Sequence, residues 1–485
     1  MKKKGSVTVF FSLFMAVLLI LIQVIFHSVQ IAGGRVQAEA GVEEGLYSIF
    51  AGYHRELLKK YHVFLLDGGY GTGKLQPGYM YRILDESLTK SCFPGKLLAD
   101  VYGENLWKIY SKSGAIQGYT LATDQNGQAF KMQAVDYMKE TVGIQGIQLL
   151  AEKMQMEHMV IKEQQEKGES MQAEQALETY EKEKEKVQQE ENTEEIYPKE
   201  DFVNPLEVIG QLRKRGILAM VLPEEVFISQ GQMENAVSKR KCEQGMGTIY
   251  CGENPDTLWN NLAFQEYMMR HLVSYTDRAE EGKEAKEISY QLEYAAVGKA
   301  TDMENLKAVV TRLLAIREMS NMVFLLQNPS RQAQIHEMAL LICSYLGVPF
   351  LEGVVSLALQ AAWAFGESVL DVRQLLQGKK VPLIKTERSW NLSLQSLGNL
   401  PQVLQETGEE QEGMNYEEYL RILLFTGNIQ EQVMRTMDIV EQEIKNTEGN
   451  RNFRMDLCLS YLKAEMEVNC CGRDFLIQRE YGYEM

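Results

Sequence analysis

The sequence predicts an α+β protein with a single N-terminal transmembrane helix, a mixed N-terminal ectodomain region, and a mainly helical C-terminal half ending in antiparallel strands. Three observations carry this expectation. Residues 7–26 contain no charge. Residues from about 301 to 449 carry closely spaced helix start and stop signals. From Phe453 the apolar residues alternate with polar ones, which is the two-residue period of a half-buried strand.

In chain order, residues 1–5 form a basic leader and 6–32 the transmembrane helix. Thr8, Ser12 and Gln23 are the polar residues of the 7–26 stretch, which as a helix spans about 30 Å, the thickness of a bilayer's hydrocarbon core. Lys2, Lys3 and Lys4 precede it with no comparable basic cluster after it, so the N-terminus is expected in the cytoplasm and everything past His27 outside. The rival is a secretory signal cut after Val36-Gln37-Ala38, but the apolar stretch exceeds the roughly 7–15 residues of such signals.

Residues 33–150 read as a stalk helix and an α+β region. Gly33-Gly34-Arg35 is expected to loosen the helix. Val42, Leu46, Ile49, Phe50, Tyr53, Leu57 and Tyr61 then fall at three- and four-residue spacing, one apolar helical face. A first strand is expected over 61–66, and 118–130 reads as a strand, an Asn126-Gly127 turn and a returning strand. Residues 151–201 read as an acidic helical or disordered spacer, with fourteen acids against six lysines between 162 and 201.

Residues 202–485 read as a mainly helical ectodomain with a C-terminal β-hairpin. Thr301 with Glu304, Asn415 with Glu418, and Asn428 with Glu431 are capping signals, and Gly427 and Gly449 are stops. The apolar run 338–366 is split by Gly347, Pro349 and Glu352 into two pieces too short to cross a bilayer, so two buried helices are expected. Residues 474–483 return beside the strand that contains Leu457 and Leu459, turning near Cys471-Gly472-Arg473. These strands are expected to share a sheet with 61–66, with the helical half inserted between.

The 485 residues suffice for two or three compact regions, and 45% hydrophobic with 24% charged residues are values of globular proteins. A net charge of −17 argues against nucleic acid or an anionic membrane surface as the main partner. The stretch "DGGYGTGK" from Asp67 resembles the start of a phosphate-binding loop. Leu75, however, stands where such a loop needs the Ser or Thr that holds magnesium, and Pro77-Gly78 is expected to stop the helix that must follow. It reads as a turn, and no nucleotide is expected. The six histidines form no HExxH and no close cluster with Cys or carboxylates, so neither a metal nor a cofactor is expected. No catalytic residue stands out. The seven cysteines include no CxxC; Cys242 and Cys251 bracket a glycine-containing loop and are either a local disulfide or two free thiols.

The leader carries a sharper pattern. A basic stretch ending in Gly5, then Ser6 and an uninterrupted apolar helix, resembles the TadE/TadG-like pseudopilins of tight-adherence (Flp-type) pilus systems. The resemblance implies cleavage between Gly5 and Ser6 by a prepilin peptidase, and lateral packing against other pilus or pseudopilin transmembrane helices within the lipid bilayer. Phe10 stands where prepilins usually carry a glutamate, which matches the TadG-like branch better than a major pilin. Residues 34–71, 363–385 and 415–424 further resemble a large uncharacterised extracytoplasmic family of Gram-positive anaerobes, members of which accompany tight-adherence pilus genes. The implied role is a single-pass membrane component, structural or accessory, of a pilus or related secretion system, and not an enzyme. The competing expectations are an anchored binding or sensory protein unrelated to pili, or an envelope hydrolase.

Overall fold

The computed structural model describes residues 4–92, 107–169, 173–190, 203–222, 226, 228–247, 256–278, 286–347, 349–405 and 411–483. The chain is α+β, and it folds as two compact units. Unit 1 comprises Met1–Tyr137, Val237–Asn260 and Met437–Met485; unit 2 comprises Met138–Ala236 and Asn261–Thr436. The C-terminal strands therefore belong with the N-terminal region, and most of the helical part is inserted between them. The acidic residues 151–190 belong to unit 2.

Unit 1 begins with helix α1 (Lys4–Phe50), 47 residues without a break. The expected loosening at Gly33-Gly34-Arg35 does not occur, because tertiary packing holds the helix there. The apolar side chains of residues 7–26 are exposed, apart from half-buried Leu18, whereas Ala38, Val42, Leu46, Ile49 and Phe50 are buried. The expected stalk face beyond Phe50 belongs to a second helix. The chain turns at residues 51–54, and His54 caps α2 (Arg55–Tyr61) by accepting from the Leu57 N–H at 3.3 Å. Left-handed His62 ends α2, so the strand expected over 61–66 shrinks to β1 (Leu66–Asp67).

Pro77 opens α3 (Pro77–Cys92) rather than stopping a helix, because a proline in the first turn forfeits no intrahelical hydrogen bond. Strand β2 (Ile109–Leu121) is not followed by a return strand. Gln125, Asn126 and Gly127 all have positive φ and turn the chain into helix α4 (Asp124–Val142), which contains Phe130. The turn was legible, but its left-handed run of three residues redirects the chain into a helix instead of closing a hairpin.

Strand β3 (Cys458–Cys470) is central to the sheet. It pairs antiparallel with β2 along one edge, and along the other with β4 (Arg473–Gly482) and, at Leu459, with β1. The strand expected from Phe453 begins only at Cys458, because Met455–Leu457 form a single 3-10 turn, and the expected polar positions Asp456, Cys458 and Ser460 are buried as well. Thr120 pairs with Tyr461 but Leu121 with Leu459, so Ser460 is an extra residue in the ladder. One inserted residue exchanges the faces. Leu457 and Leu459 are buried before it, and Leu462, Ala464, Met466 and Val468 after it. Leu459, Leu462, Ala464, Met466 and Val468, with α1 from Ala38 onward and Met80, Leu84 and Leu88 of α3, form the core of unit 1. Helices α1 and α3 approach so closely that a Cβ at Gly45 would lie 3.1 Å from the Leu84 Cα.

Unit 2 is helical in its described residues. The described residues of the expected helical or disordered spacer are helical, in α5 (Ile144–Glu169) and α6 (Ala173–Glu190). They are more than solvated rods. Ala151, Met154 and Ile161 of α5, and Leu177 and Tyr180 of α6, are buried among the other helices of the unit. Sparse apolar residues at helical spacing suffice to dock a charged helix by one narrow stripe. Residues 191–202, where the spacer was expected to end, lie outside the described residues.

The helices Asp302–Gln327, Pro329–Leu346, Glu352–Leu376 and Tyr416–Phe425 follow the punctuation. Thr301 accepts from the Glu304 N–H at 3.3 Å, and Asn415 and Glu418 form a reciprocal capping box. The apolar run 338–366 is two helical pieces separated by left-handed Gly347; the second is longer than expected, reaching Leu376 and long and apolar enough to cross a membrane, but it is buried in the protein over most of its length.

Candidate functional site

The glycine-rich stretch after β1 illustrates how local sequence misleads. The Asp67 carboxylate accepts from the Gly69 and Gly71 N–H groups, both at 2.8 Å, and Thr72 Oγ1 donates to the Gly69 carbonyl at 2.7 Å. Amides that would face a phosphate are already turned onto the protein's own carboxylate. The expectation of a plain turn stands on this geometry, although a helix does follow.

Three buried or half-buried polar clusters were invisible in the sequence. In unit 1, Arg240 donates bidentately to Glu441, both bonds at 2.6 Å, and also to Asp456 at 2.5 Å. Arg454 donates to the other Asp456 oxygen at 2.6 Å. Burial would raise the Asp456 carboxyl, but the hydrogen bonds and charges of Arg454 and Arg240 hold it below its ordinary range. The cluster ties segment 237–260 to the end of the chain.

In unit 2, Arg317, Glu367, Asp371 and Lys385 are all fully buried. Lys385 Nζ lies 2.6 Å from Glu367 and 2.7 Å from Asp371, and Arg317 lies 3.0 Å from Asp371. Two cations offset two anions. Arg317 also donates to the carbonyls of Pro382 and Leu383, and Glu367 accepts from the Asn391 and Leu392 N–H groups. Burial pushes Glu367 upward despite Lys385, whereas Lys385 and Arg317 together overcome burial at Asp371 and hold it low. The arrangement clamps the irregular segment 381–392 onto two helices, and every charge in it is engaged by the protein itself.

The third cluster surrounds Glu293. Its Oε1 accepts from the Tyr275 N–H and the Tyr416 hydroxyl, both at 2.8 Å, while Oε2 is buried with no hydrogen-bond partner among the described residues. Burial raises its carboxyl to about 7 against the opposing pull of those hydrogen bonds.

A cleft of about 340 Å³ in unit 1 lies between α3 and β2, lined by Asp85, Cys92, Tyr110 and Lys112 among others. Burial pushes the Cys92 thiol up to about 11, so it stays protonated and unreactive near neutral pH. Among the described residues no group of three or more His, Cys, Asp or Glu is placed to hold a metal ion. Gly5 and Ser6 fall near the start of α1. Cys242 carries a free thiol that donates to the Val237 carbonyl at 3.3 Å, and Cys251 lies outside the described residues.

The best-defined functional feature is therefore the passage of α1 from its exposed apolar half into unit 1. Strand β4 runs alongside it in the same direction. Arg35 lies 5.8 Å over the Phe475 ring; Arg479 pairs with Glu39 and Glu43 at 2.8 and 2.7 Å; the Tyr483 hydroxyl donates to the Phe50 carbonyl at 2.6 Å. Helix α3 runs the opposite way, its Ser91 carbonyl accepting from Gln37 at 3.1 Å. At the lower end, Cys470 Sγ contacts the Gln30 and Trp107 carbonyls at 3.8 and 3.3 Å. A Cβ at Gly34 would collide with that sulfur, and one at Gly33 with the Trp107 ring.

These features define an α+β protein whose long N-terminal apolar helix is compatible with a single-pass membrane anchor. Residues 190–470, more than half of the chain, match the family of unknown function DUF5702. The chain belongs to that family. The match contains all three polar clusters and leaves out α1 and β4. No curated protein and no solved structure matches the chain.

Proposed function

We propose that this chain is a membrane-anchored extracytoplasmic component of envelope assembly, structural or accessory rather than catalytic. In the most specific form it is a TadE/TadG-like minor pseudopilin of a tight-adherence pilus or related secretion system. The observation that carries the anchored reading is the unbroken α1. Its first half exposes apolar side chains all round, as only a lipid or protein environment tolerates, and its second half is core. The same helix argues against signal cleavage after Ala38. That residue is fully buried, and a cut there would sever α1 inside the core of unit 1. The structural role is supported by the polar clusters, whose charges are spent on holding segments of the chain in place. The pilus assignment rests on the leader around Gly5 and Ser6 and on the longer resemblance described above.

The test is the mature N-terminus, read by mass spectrometry on protein extracted from its native membrane. A chain starting at Ser6 supports prepilin-type processing despite Phe10. A start at Met1 or Lys2 moves the protein from filament subunit to assembly accessory. A start at Glu39 in a soluble fraction overturns the anchored reading.

A further inference from the structure

Within unit 1, distance along α1 serves as a ruler. The apolar stretch ends at Phe26, and among the described residues the hairpin reaches α1 at Gln30, about 6 Å further along a helix rising 1.5 Å per residue. Each headgroup layer of a bilayer is roughly 5–8 Å thick. The contact at Gln30 comes from the β3–β4 hairpin. Cys470 Sγ lies 3.8 Å from its carbonyl, and Cys471 Sγ lies 4.0 Å from its side-chain oxygen. Because β4 runs with α1, from Phe475 beside Arg35 to Tyr483 beside Phe50, the hairpin turn points back along the helix toward its apolar half. The turn is tight, with Cys471 at φ 52° and Gly472 at φ 85°. Arg473 and Lys108, which flank it, are both exposed. The Cys471 N–H donates to the Lys108 carbonyl at 3.3 Å, so Lys108 and Arg473 share this end of the sheet, on either side of β3. The nearby Lys112 is instead neutralised by Asp474 at 2.5 Å. Trp107, half-buried against Gly33, stands just above, the residue type that favours a membrane interface.

We infer that the β3–β4 hairpin turn rests in the lipid headgroup layer, with Lys108 and Arg473 directed at headgroup phosphates, so that unit 1 stands upright on the bilayer. This inference rests on the anchored reading of α1. It is compatible with the net charge of −17, because much of the acidic excess lies in 162–201, outside unit 1, while Lys108 and Arg473 are exposed among the described residues at this end of the sheet. A continuous helix with no hinge at Gly33-Gly34 transmits the position of the span directly to the folded unit.

The test uses the full chain in phospholipid nanodiscs with a photo-crosslinking benzoylphenylalanine at Arg473, or at Gln478 as the control further up β4. Both sites are exposed, so neither replacement disturbs the core. Lipid adducts at 473, absent at 478 and diminished by Lys108→Glu, are the expected result. A chain that stays in the discs but gives no adduct at 473, or equal adducts at both sites, overturns the upright seating and leaves the anchor intact. A chain that never enters the discs overturns the anchor, and this inference with it.

Discussion

A Cβ placed on Gly34 would stand 2.3 Å from the sulfur of Cys470, 436 positions later in the chain. Real atoms do not approach so closely, so the helix and the hairpin meet only because residue 34 has no side chain. Gly34→Ala is expected to destabilise unit 1 by about 1–3 kcal/mol, the usual cost of overpacking. Cys470→Ala in the same chain removes the obstructing sulfur and should recover most of that loss. Thermal unfolding of the two single variants and the double variant in detergent checks this; strictly additive effects would show that the two residues do not collide.

Glu293 makes stability depend on pH with a definite sign. Its folded carboxyl titrates at about 7, above an ordinary glutamate. The folded state therefore holds a proton that the unfolded state has released across that interval, and stability declines as pH rises from about 4.5 to 7. The contribution is fully present below that window and lost above it. Glu293→Gln, which cannot ionise, should flatten this part of the profile and raise the melting temperature at pH 8 relative to the native chain. An unchanged slope in denaturation curves taken between pH 5 and 8 would assign the dependence to other groups.

Removing Lys385 strands Glu367, while Asp371 keeps Arg317. Lys385→Met leaves Glu367 facing Asp371 without their shared cation and is expected to cost about 3–5 kcal/mol. Changing Glu367 to Met in the same chain removes the orphaned charge and should return part of the stability. Urea midpoints of unit 2 report both effects, and a Lys385→Met variant as stable as the native chain would contradict the clamp assigned to this cluster.

The loop after β1 depends on Asp67. Asp67→Ala leaves the Gly69 and Gly71 amides without their acceptor and is expected to cost about 1–3 kcal/mol. Hydrogen exchange at those two amides should accelerate in the variant. Exchange rates equal to those of the native chain would mean that the carboxylate does not order the loop.

Much of this protein was legible residue by residue. The apolar run of α1, the capping pairs at Thr301 and Asn415, the stop at Gly347 and the hairpin turn near Cys471-Gly472 are local signals, because a helix cap or a turn is decided by neighbours a few residues apart. The same locality explains the misreadings. Pro77 looks like a helix breaker and is a helix opener; Asn126-Gly127 looks like a hairpin and begins a helix; Gly33-Gly34 looks like a hinge and is a packing surface. In each case the residue's conformational preference was read correctly, and the element around it decided its use.

Tertiary structure alone decided the rest. The bulge at Ser460 that exchanges the faces of β3, the docking of the acidic helices by Leu177 and Tyr180, and the pairing of Arg240 with Glu441 across 201 positions leave no periodic trace. Charged residues read from sequence default to the surface, since burial of a charge is favourable only beside a partner, and the partner's identity is a fact of the fold. Residue order was enough to reveal that a membrane-length helix leads into a mixed domain. Which end of that domain faces the helix's apolar half follows from β4 lying along α1, a relationship between the two ends of the chain that exists only once it has folded.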